Sequence, residues 1–414
     1  MRTTSRHYRT PYRPWPVALA NRVLAPLGLP PSSGLAADAL RAAAARAEGL
    51  DPSPDPELDE PLDVLCASLR EEARLTPLGR LVQRQRLIGL LRARLRLQHA
   101  VRGVPAPDDE ALSSPLVITG LPRTGTTFLH RLLAADPRLR ALRSWEAIAP
   151  APLPDDPGDA RRRAAARRNE QALRYLAPDF FAVHPIDAEG VEEEVLLLDL
   201  ALRTNVAPAT CHVPAFEAWL ATADRTPAYA LLRQALGLLS APAGPRRWVL
   251  KTPDHLPFLD VLASVFPGAR VIHTHRHPRE TTGSFASMVA HAHGLCTDAV
   301  DPERIGRSWL TQHAAWVRTA QAHRDQGTAP PVLDVRYDDL MADPLREVAR
   351  IYAFAGLALP DDVQARIAAA REAGSRHAPG RHRYALEDFG LSAGEVDEAF
   401  ADYVARFDLA PRAR

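Results

Sequence analysis

The chain has 414 residues, of which 46% are hydrophobic and 24% are charged, and its formal net charge is +1. These proportions are typical of a globular protein with a sizeable core, and they exclude a disordered or fibrous chain. The near-neutral charge excludes a general attraction to nucleic acid, so any anion site must be local. The three cysteines, Cys66, Cys211 and Cys296, form no CxxC pair, which argues against a disulfide framework or a zinc site and favours a reducing compartment.

Residues 1–110 are predicted to form a helical region with loops. Apolar residues recur every three or four positions over 62–69 and 78–91, as in amphipathic helices. The region is a candidate cap or dimerisation element. Its first 31 residues hold no uninterrupted apolar segment, and no stretch of the chain approaches the ~18 apolar residues of a membrane span. We therefore expect a cytoplasmic protein without a signal peptide or integral membrane part.

A strand, a glycine-bearing loop and a helix are predicted next. Residues 115–119 are apolar and β-branched, the loop 120–127 follows, and a helical pattern begins at Phe128. The loop has the G-x-x-x-x-G spacing of the P-loop of nucleotide kinases, but Thr126 stands in place of the lysine. Gly125 lets the backbone curl so that successive amides converge at a helix N-terminus. The loop therefore predicts a phosphate or sulfate site.

Three later segments complete the predicted sheet. Strands are expected at 247–252, 269–275 and 331–337, with a helix at 256–266 between the first two. Further helices are expected at 161–168, within 189–239 and at 344–356. This β-α-β order indicates an α/β fold with a doubly wound parallel sheet behind a helical N-terminal region. Its ligand site is expected at the carboxyl edge of the sheet.

Lys251 ends the second predicted strand and is the single lysine among 51 basic residues. P-loop NTPases usually carry an acidic Mg²⁺ ligand after such a strand. A site rich in arginine and lysine suits a nucleotide phosphate with a less charged transferable group. Asp334 on the last predicted strand could serve as such a Mg²⁺ ligand, so a metal-dependent kinase remains an alternative.

Four motifs together carry a family resemblance over roughly residues 112–408. Leu-Pro-Arg-Thr-Gly-Thr-Thr at 121–127 and the segment His275–Ser284 each follow a strand. Val-Arg-Tyr-Asp-Asp-Leu lies at 335–340, and Tyr-Ala-Leu-Glu-Asp-Phe-Gly-Leu at 384–391. The chain resembles sulfotransferases that use 3′-phosphoadenosine 5′-phosphosulfate (PAPS), in particular the bacterial group with the same loop.

The resemblance implies specific roles for the residues of these motifs. The 5′-phosphosulfate is expected on the loop, at Arg123, Thr124, Gly125, Thr126 and Thr127. Phe128 takes the position of an adenine-stacking aromatic residue. The 3′-phosphate is expected on Arg276 and Ser284, with a further basic contact from the segment Arg381–Arg383, for which Arg383 is the candidate. Lys251 and Arg123 are the candidates for stabilising the leaving oxygen.

The resemblance leaves two candidates for the general base. Glu146 matches the position of a catalytic glutamate, and His255 is similar to a histidine just after Lys-Thr, although two residues intervene here. Glu146 is favoured, with His255 as base or orienting partner. His184 and the run Glu192–Glu194 belong either to the acceptor pocket or to a solvated helix face.

The implied function is transfer of the PAPS sulfuryl group to a hydroxyl, or less readily an amine, with release of 3′,5′-ADP. The expected acceptor is a small molecule, a glycan or a glycolipid-type lipid. A metal-dependent kinase or NTPase and a non-catalytic nucleotide-binding protein remain alternatives. No metal is expected, since His273, His275 and His277 alternate as packed strand residues do. The expected domains are the helical region 1–110 and a sulfotransferase domain, 111–414.

Overall fold

A computed structural model describes residues 4, 6–50, 55–102, 110–153, 156–240, 246–376 and 382–411. Its centre is a five-stranded sheet in the order β2-β3-β1-β4-β5, and every pair in it is parallel. The strands are β1 (Leu116–Gly120), β2 (Leu139–Ala141), β3 (Arg247–Lys251), β4 (Arg270–His275) and β5 (Val332–Arg336). The four predicted strands are present. The edge strand β2 was not predicted because three residues are too short to show a pattern.

The central strand β1 lies at the point where the order of the strands reverses. It pairs with β3 on one side and with β4 on the other, and all five of its residues are buried. The chain visits β3 and β4 consecutively but places them on opposite sides of β1. Loops leaving these strand ends diverge, and the crevice between them is the usual ligand site of an open parallel sheet. The carboxyl ends that meet there are Gly120, Lys251 and His275.

Helices before the sheet form the N-terminal region. They are α1 (Trp15–Leu24), α2 (Ala37–Glu48), α3 (Pro56–Glu71), α4 (Pro77–Val101) and α5 (Glu110–Ser113). Between β1 and β3 lie α6 (Thr126–Leu133), α7 (Ser144–Ile148), α8 (Ala160–Leu176), α9 (Pro178–Val183), α10 (Val195–Leu198), α11 (Val206–Thr210), α12 (Pro214–Thr222) and α13 (Thr226–Ser240).

The remaining helices follow β3. They are α14 (Leu259–Val265), α15 (Pro278–Cys296), α16 (Pro302–Asp325), α17 (Tyr337–Ala342), α18 (Pro344–Ala355), α19 (Asp361–Arg376), α20 (Ala393–Ala399) and α21 (Ala401–Arg406). The helix predicted at 256–266 is split, because a 3₁₀ segment, Pro253–Phe258, precedes α14 and contains Pro257. A proline removes a backbone donor, which favours the break.

Two apolar clusters cover the two faces of the sheet. The larger runs from Tyr8 to Leu409 and joins the N-terminal helices to one face of the sheet. The smaller packs α6, α18 and α19 on the other face. The sheet is therefore covered on both faces, as predicted for a doubly wound fold. The boundary at residues 110/111 stays a prediction, although the two regions share the larger cluster. None of the helices in the described part of the chain is long and apolar enough to cross a membrane.

Candidate active site

The loop between β1 and α6 needs both of its glycines. Gly125 has φ +91°, and a Cβ there would lie 3.0 Å from the ring of Tyr337. A Cβ on Gly120 would lie 2.4 Å from the carbonyl oxygen of Thr274. Arg123 also has a positive φ, +73°, which a non-glycine residue rarely adopts. The loop thus holds a strained, tightly packed backbone at the start of α6, as functional loops often do.

Two arginines from separate motifs meet beside this loop. Nε of Arg123 donates to Oγ of Ser284 at 3.2 Å, and Nη1 of Arg276 donates to the carbonyl oxygen of Arg123 at 3.2 Å. Burial and the neighbouring charge of Arg276 lower the pKa of Arg123. Arg276 also lies over the ring of Tyr337 and pairs with Glu280 at 2.6 Å. Two neighbouring guanidinium groups of like charge favour an anion between or beside them.

Lys251 brings a third cation to the same edge. It is buried at the end of β3, where its Nζ donates to Oγ1 of Thr127 at 3.2 Å and pairs with the carboxylate of Glu193. Because β3 is the neighbour of β1, the ammonium reaches the first turn of α6. The loop, Lys251 and Glu193 therefore form one polar centre.

A fully buried chain of polar groups holds Lys251 in place. The carboxylate of Glu194 accepts from the backbone N–H of Lys251 at 2.7 Å and lies 2.7 Å from Nε2 of His255. Nδ1 of His255 lies 2.7 Å from the hydroxyl of Tyr229. Both ring nitrogens of His255 are thus occupied, and its contacts are those of an orienting residue rather than of a base.

A cavity of about 290 Å³ opens from this centre. Arg123, Thr126, Thr127, Glu192 and Glu193 line its polar end. The rest is mostly apolar and is lined by Phe180, Leu196, Val206, Phe285, Met288, Trp309 and Trp316, among others. Such a cavity fits an apolar ligand whose polar group lies at the end lined by Thr127 and Glu193, the two partners of Lys251.

Besides Arg123, three titratable groups in the cavity wall have shifted pKa values; burial raises the pKa of Asp254, and the other two groups are Glu192 and His184. Burial raises the pKa of Glu192 to about 6 and lowers that of His184 to about 4. Both residues line the cavity, so the acidic run is part of a pocket and is not a solvated helix face. A carboxylate with a pKa near neutrality is suited to accept a proton.

A model of the sulfotransferase family matches residues 115–361, more than half of the chain. The chain belongs to the sulfotransferase family. The crystal structure of sulfotransferase STF1 from Mycobacterium tuberculosis H37Rv is 33% identical, with a TM-score of 0.77 over 88% of this chain and 98% of that one. That of STF9 from Mycobacterium avium is 25% identical, with a TM-score of 0.78 over 92% and 98%.

A curated relative carries a more specific name. The omega-hydroxy-beta-dihydromenaquinone-9 sulfotransferase Stf3 of Mycobacterium tuberculosis and Mycobacterium bovis is 24% identical over 262 residues, 59% of this chain. The match spans 63% of the length of that relative. The family and fold predictions are thereby confirmed, and the donor and acceptor remain to be argued.

Within the sulfotransferase fold of this chain, Glu146 lies in a structural position. One carboxylate oxygen accepts from the backbone N–H of Arg143 at 2.9 Å in a capping box, and the other pairs with Arg140 at 2.5 Å. Glu146 is also absent from the described lining of the cavity. Its contacts are those of a helix cap, so the structure does not support the base role predicted for it.

Three other predicted cofactor residues, Thr124, Phe128 and Arg383, lie in different surroundings. The hydroxyl of Thr124 is committed to the carbonyl oxygen of Leu121 and to the hydroxyl of Thr274, so it is structural. Phe128 is half-buried against the smaller apolar cluster. Arg383 is exposed, and its backbone N–H donates to Thr4; Arg381 lies outside the described residues. The adenine contact of Phe128 and the phosphate contact of Arg383 stay predictions.

His382 was not singled out in the sequence, yet it adjoins the predicted 3′-phosphate site. Its Nδ1 lies 3.4 Å from Oγ of Ser284, and its Nε2 lies 2.9 Å from Oγ of Ser287. Burial and the charge of Arg123 lower its pKa to about 4. Only the basic neighbours of His382 drew attention to this segment.

His273, His275 and Asp334 lie close enough together to ligate a metal ion. The carboxylate of Asp334 already pairs with both terminal nitrogens of Arg324 at 2.8 Å and with Nε2 of His275 at 2.9 Å. A guanidinium on the same carboxylate opposes a cation there. His277 is separate, since its Nδ1 accepts from the backbone N–H of Arg279 at the start of α15.

Proposed function

We propose that this protein transfers the sulfuryl group of PAPS to a hydroxyl group of an apolar acceptor. The observation that carries the proposal is the convergence of Arg123, Arg276 and Lys251 at adjacent ends of β1, β4 and β3. The nucleotide part of PAPS carries anionic groups at its 5′ and 3′ positions. Arg123 with Lys251 would bind the 5′ group, and Arg276 would bind the 3′ group.

The donor would lie across the ends of the central strands. The loop at Arg123–Thr127 would bind the 5′-phosphosulfate through its amides, the hydroxyls of Thr126 and Thr127 and the start of α6. Arg276 and Ser284 would hold the 3′-phosphate, since arginine offers paired charge-assisted hydrogen bonds to a phosphate. The hydrogen bond from Arg123 to Ser284 supports the proposal because it shows that the residues of the two predicted subsites are close enough to bind one nucleotide.

The transfer step needs a cation at the leaving oxygen and a base at the acceptor hydroxyl. The acceptor oxygen bonds to sulfur while the bond from sulfur to the bridging phosphate oxygen breaks, and negative charge grows on that oxygen. The ammonium of Lys251, near Thr127, would stabilise this charge. The acceptor hydroxyl must also lose its proton.

We assign the base role to Glu192, in place of Glu146 and His255. Glu192 lines the cavity and has a pKa near neutrality, whereas the carboxylate of Glu193 is paired with Lys251. Glu193 would then position Lys251. The pair Glu194–His255 would hold the backbone of Lys251 from behind.

The cavity wall supports an apolar acceptor with a terminal hydroxyl. The wall beyond the acidic residues includes Trp309, Trp316 and Phe285. The name of the curated relative points to a hydroxylated isoprenoid quinone as its acceptor. A hydroxylated lipid is accordingly the class we propose for this chain, ahead of a glycan.

A metal-dependent kinase receives less support. Asp334, which left that option open, is bound to Arg324 and His275 and does not line the cavity next to the loop.

The test compares donor ligands and then transfer. We expect 3′,5′-ADP to raise the melting temperature strongly and Mg-ATP to raise it little. We also expect transfer of label from ³⁵S-PAPS to an ω-hydroxylated lipid. Stabilisation by Mg-ATP alone would favour the kinase. Stabilisation by 3′,5′-ADP without transfer to any acceptor of a lipid extract would leave a nucleotide-binding protein.

A further inference from the structure

The N-terminal helix α1 exposes its apolar side chains. Trp15, Leu19 and Val23 are four residues apart and therefore lie on one face, and they are 78%, 54% and 54% exposed. The buried residue of this helix is Asn21, whose side-chain oxygen accepts from the backbone N–H of Leu78 at 3.0 Å. The helix thus turns Trp15, Leu19 and Val23 outward, while the face with Asn21 and the half-buried Val17 and Leu24 packs on the body of the protein.

This arrangement is concentrated in one part of the molecule. Of the eight large apolar side chains that are exposed among the described residues, seven belong to α1, to its flanking segments or to the helix beneath it. We call these seven the N-terminal patch: Tyr12, Trp15, Leu19, Val23, Leu27, Leu29 and Leu81. Apolar patches of this kind on a soluble surface mark a site of protein or membrane contact.

The patch is firmly attached to the fold. The guanidinium of Arg13, just before α1, donates to the carbonyl oxygens of Gly294 and Thr297 and pairs with Asp298 at 2.9 Å. Arg80 of α4 donates to the carbonyl oxygen of Leu29 at 3.2 Å on the other side. The helix is therefore held at both ends with its apolar face outward.

Charge decides what can cover the patch. Residues 1–37 contain five arginines and neither aspartate nor glutamate. Arg6, Arg9 and Arg13 pair with Asp388, Glu303 and Asp298 of the later chain, whereas Arg22 takes part in none of the ion pairs among the described residues. A symmetric dimer through α1 would therefore bring two copies of the cation Arg22 together. Arg22 is exposed on α1 and Arg80 lies beside Leu29, so the apolar residues are flanked by cations. An apolar helix face with tryptophan and flanking arginines fits an anionic lipid surface.

A cleft adjoins the patch. It has a volume of about 270 Å³, and its lining includes Tyr12, Arg13 and Phe180. Phe180 also lines the acceptor cavity. Phe180 therefore borders both the cleft beside the patch and the cavity that contains Glu192 and Glu193.

We propose that the N-terminal patch docks this protein on an anionic membrane surface, with the cleft at Phe180 admitting a lipid from that surface. The second half of the proposal rests on the proposed function, whereas the docking itself does not. Docking would bring the mouth of the cleft to the depth at which an interfacial helix lies, several ångströms into the headgroup region.

The experiment is vesicle flotation of the full chain without donor or acceptor. We expect binding to vesicles of phosphatidylcholine with phosphatidylglycerol, weaker binding to phosphatidylcholine alone, and a decrease at high salt. Leu19→Glu should lower the partition coefficient by at least about tenfold, and Arg22→Glu should also lower it. Arg366→Glu, which changes an exposed arginine of α19, is the matched control and should bind as the wild type does.

Three results would overturn the docking proposal. The first is that the wild type floats with neither vesicle, and the second is that Leu19→Glu floats as well as the wild type. The third is a dimer in sedimentation that Leu19→Glu dissociates, which would assign the patch to a second copy. Because the variants lie outside the active site, all should keep the affinity of the wild type for 3′,5′-ADP. Failure of donor binding in every form would instead contradict the proposed function.

Discussion

The assignment of Arg276 to the 3′-phosphate can be tested by replacing it with alanine. A charge-assisted hydrogen bond contributes about 1.5–3 kcal/mol. The lower part of that range applies here because the guanidinium is paired with Glu280 at 2.6 Å before any phosphate binds. A loss of about 1.5–2 kcal/mol corresponds to roughly a 10- to 30-fold weaker affinity for 3′,5′-ADP.

The assay is calorimetric titration with two nucleotides. Arg276→Ala should weaken binding of 3′,5′-ADP but leave 5′-AMP, which lacks the 3′-phosphate, at the affinity of the wild type. Arg279→Ala is the matched control, since Arg279 lies on the same helix but pairs with Asp397 at the surface. Equal weakening of both nucleotides would place Arg276 elsewhere in the site. Unchanged affinity for both would remove it from the site.

Four further substitutions test the remaining parts of the centre. Lys251→Arg should lower kcat by about a hundredfold with little change in 3′,5′-ADP affinity, because a planar guanidinium cannot replace a buried point donor; wild-type steady-state kinetics would contradict this role. Glu192→Gln should lower kcat by about 10²-fold or more and abolish the fall in kcat/KM of the wild type below about pH 6, where Glu192 becomes protonated. Glu146→Gln, by contrast, should keep the rate and lose about 1 kcal/mol of stability in urea unfolding, as expected for a cap; the reverse pattern would restore Glu146 as the base. Gly125→Ala should lower the free energy of unfolding by about 1–2 kcal/mol because of the positive φ at this position. It should also weaken donor binding, because the new Cβ would lie against the ring of Tyr337 and displace the loop. A variant as stable as the wild type in thermal unfolding would show that the loop tolerates a side chain.

The positions of the four longer strands and of the glycine-bearing loop, but not that of β2, could be predicted from the sequence alone. A buried parallel strand is a short apolar run, and glycines at fixed spacing are required wherever the backbone must curl, so both leave local signals. The approach of Arg276 to Arg123 could be predicted from topology, since both follow strands whose carboxyl ends meet at one edge. The contact of Lys251 with Thr127 at the first turn of α6 was not predicted and is a finding of the structure.

The candidates for the base could be distinguished only by their contacts in the tertiary structure. The sequence offers Glu146 and His255 as bases, and Glu192 only as part of a run that belongs to the acceptor pocket or to a solvated helix face. Folding commits Glu146 to a helix cap and both nitrogens of His255 to buried partners, and it places Glu192 in the cavity wall. Which polar group remains available for chemistry depends on contacts between residues far apart in the chain. Local sequence determines where a backbone curls, whereas burial and hydrogen-bond partners determine the chemistry of each carboxylate and imidazole.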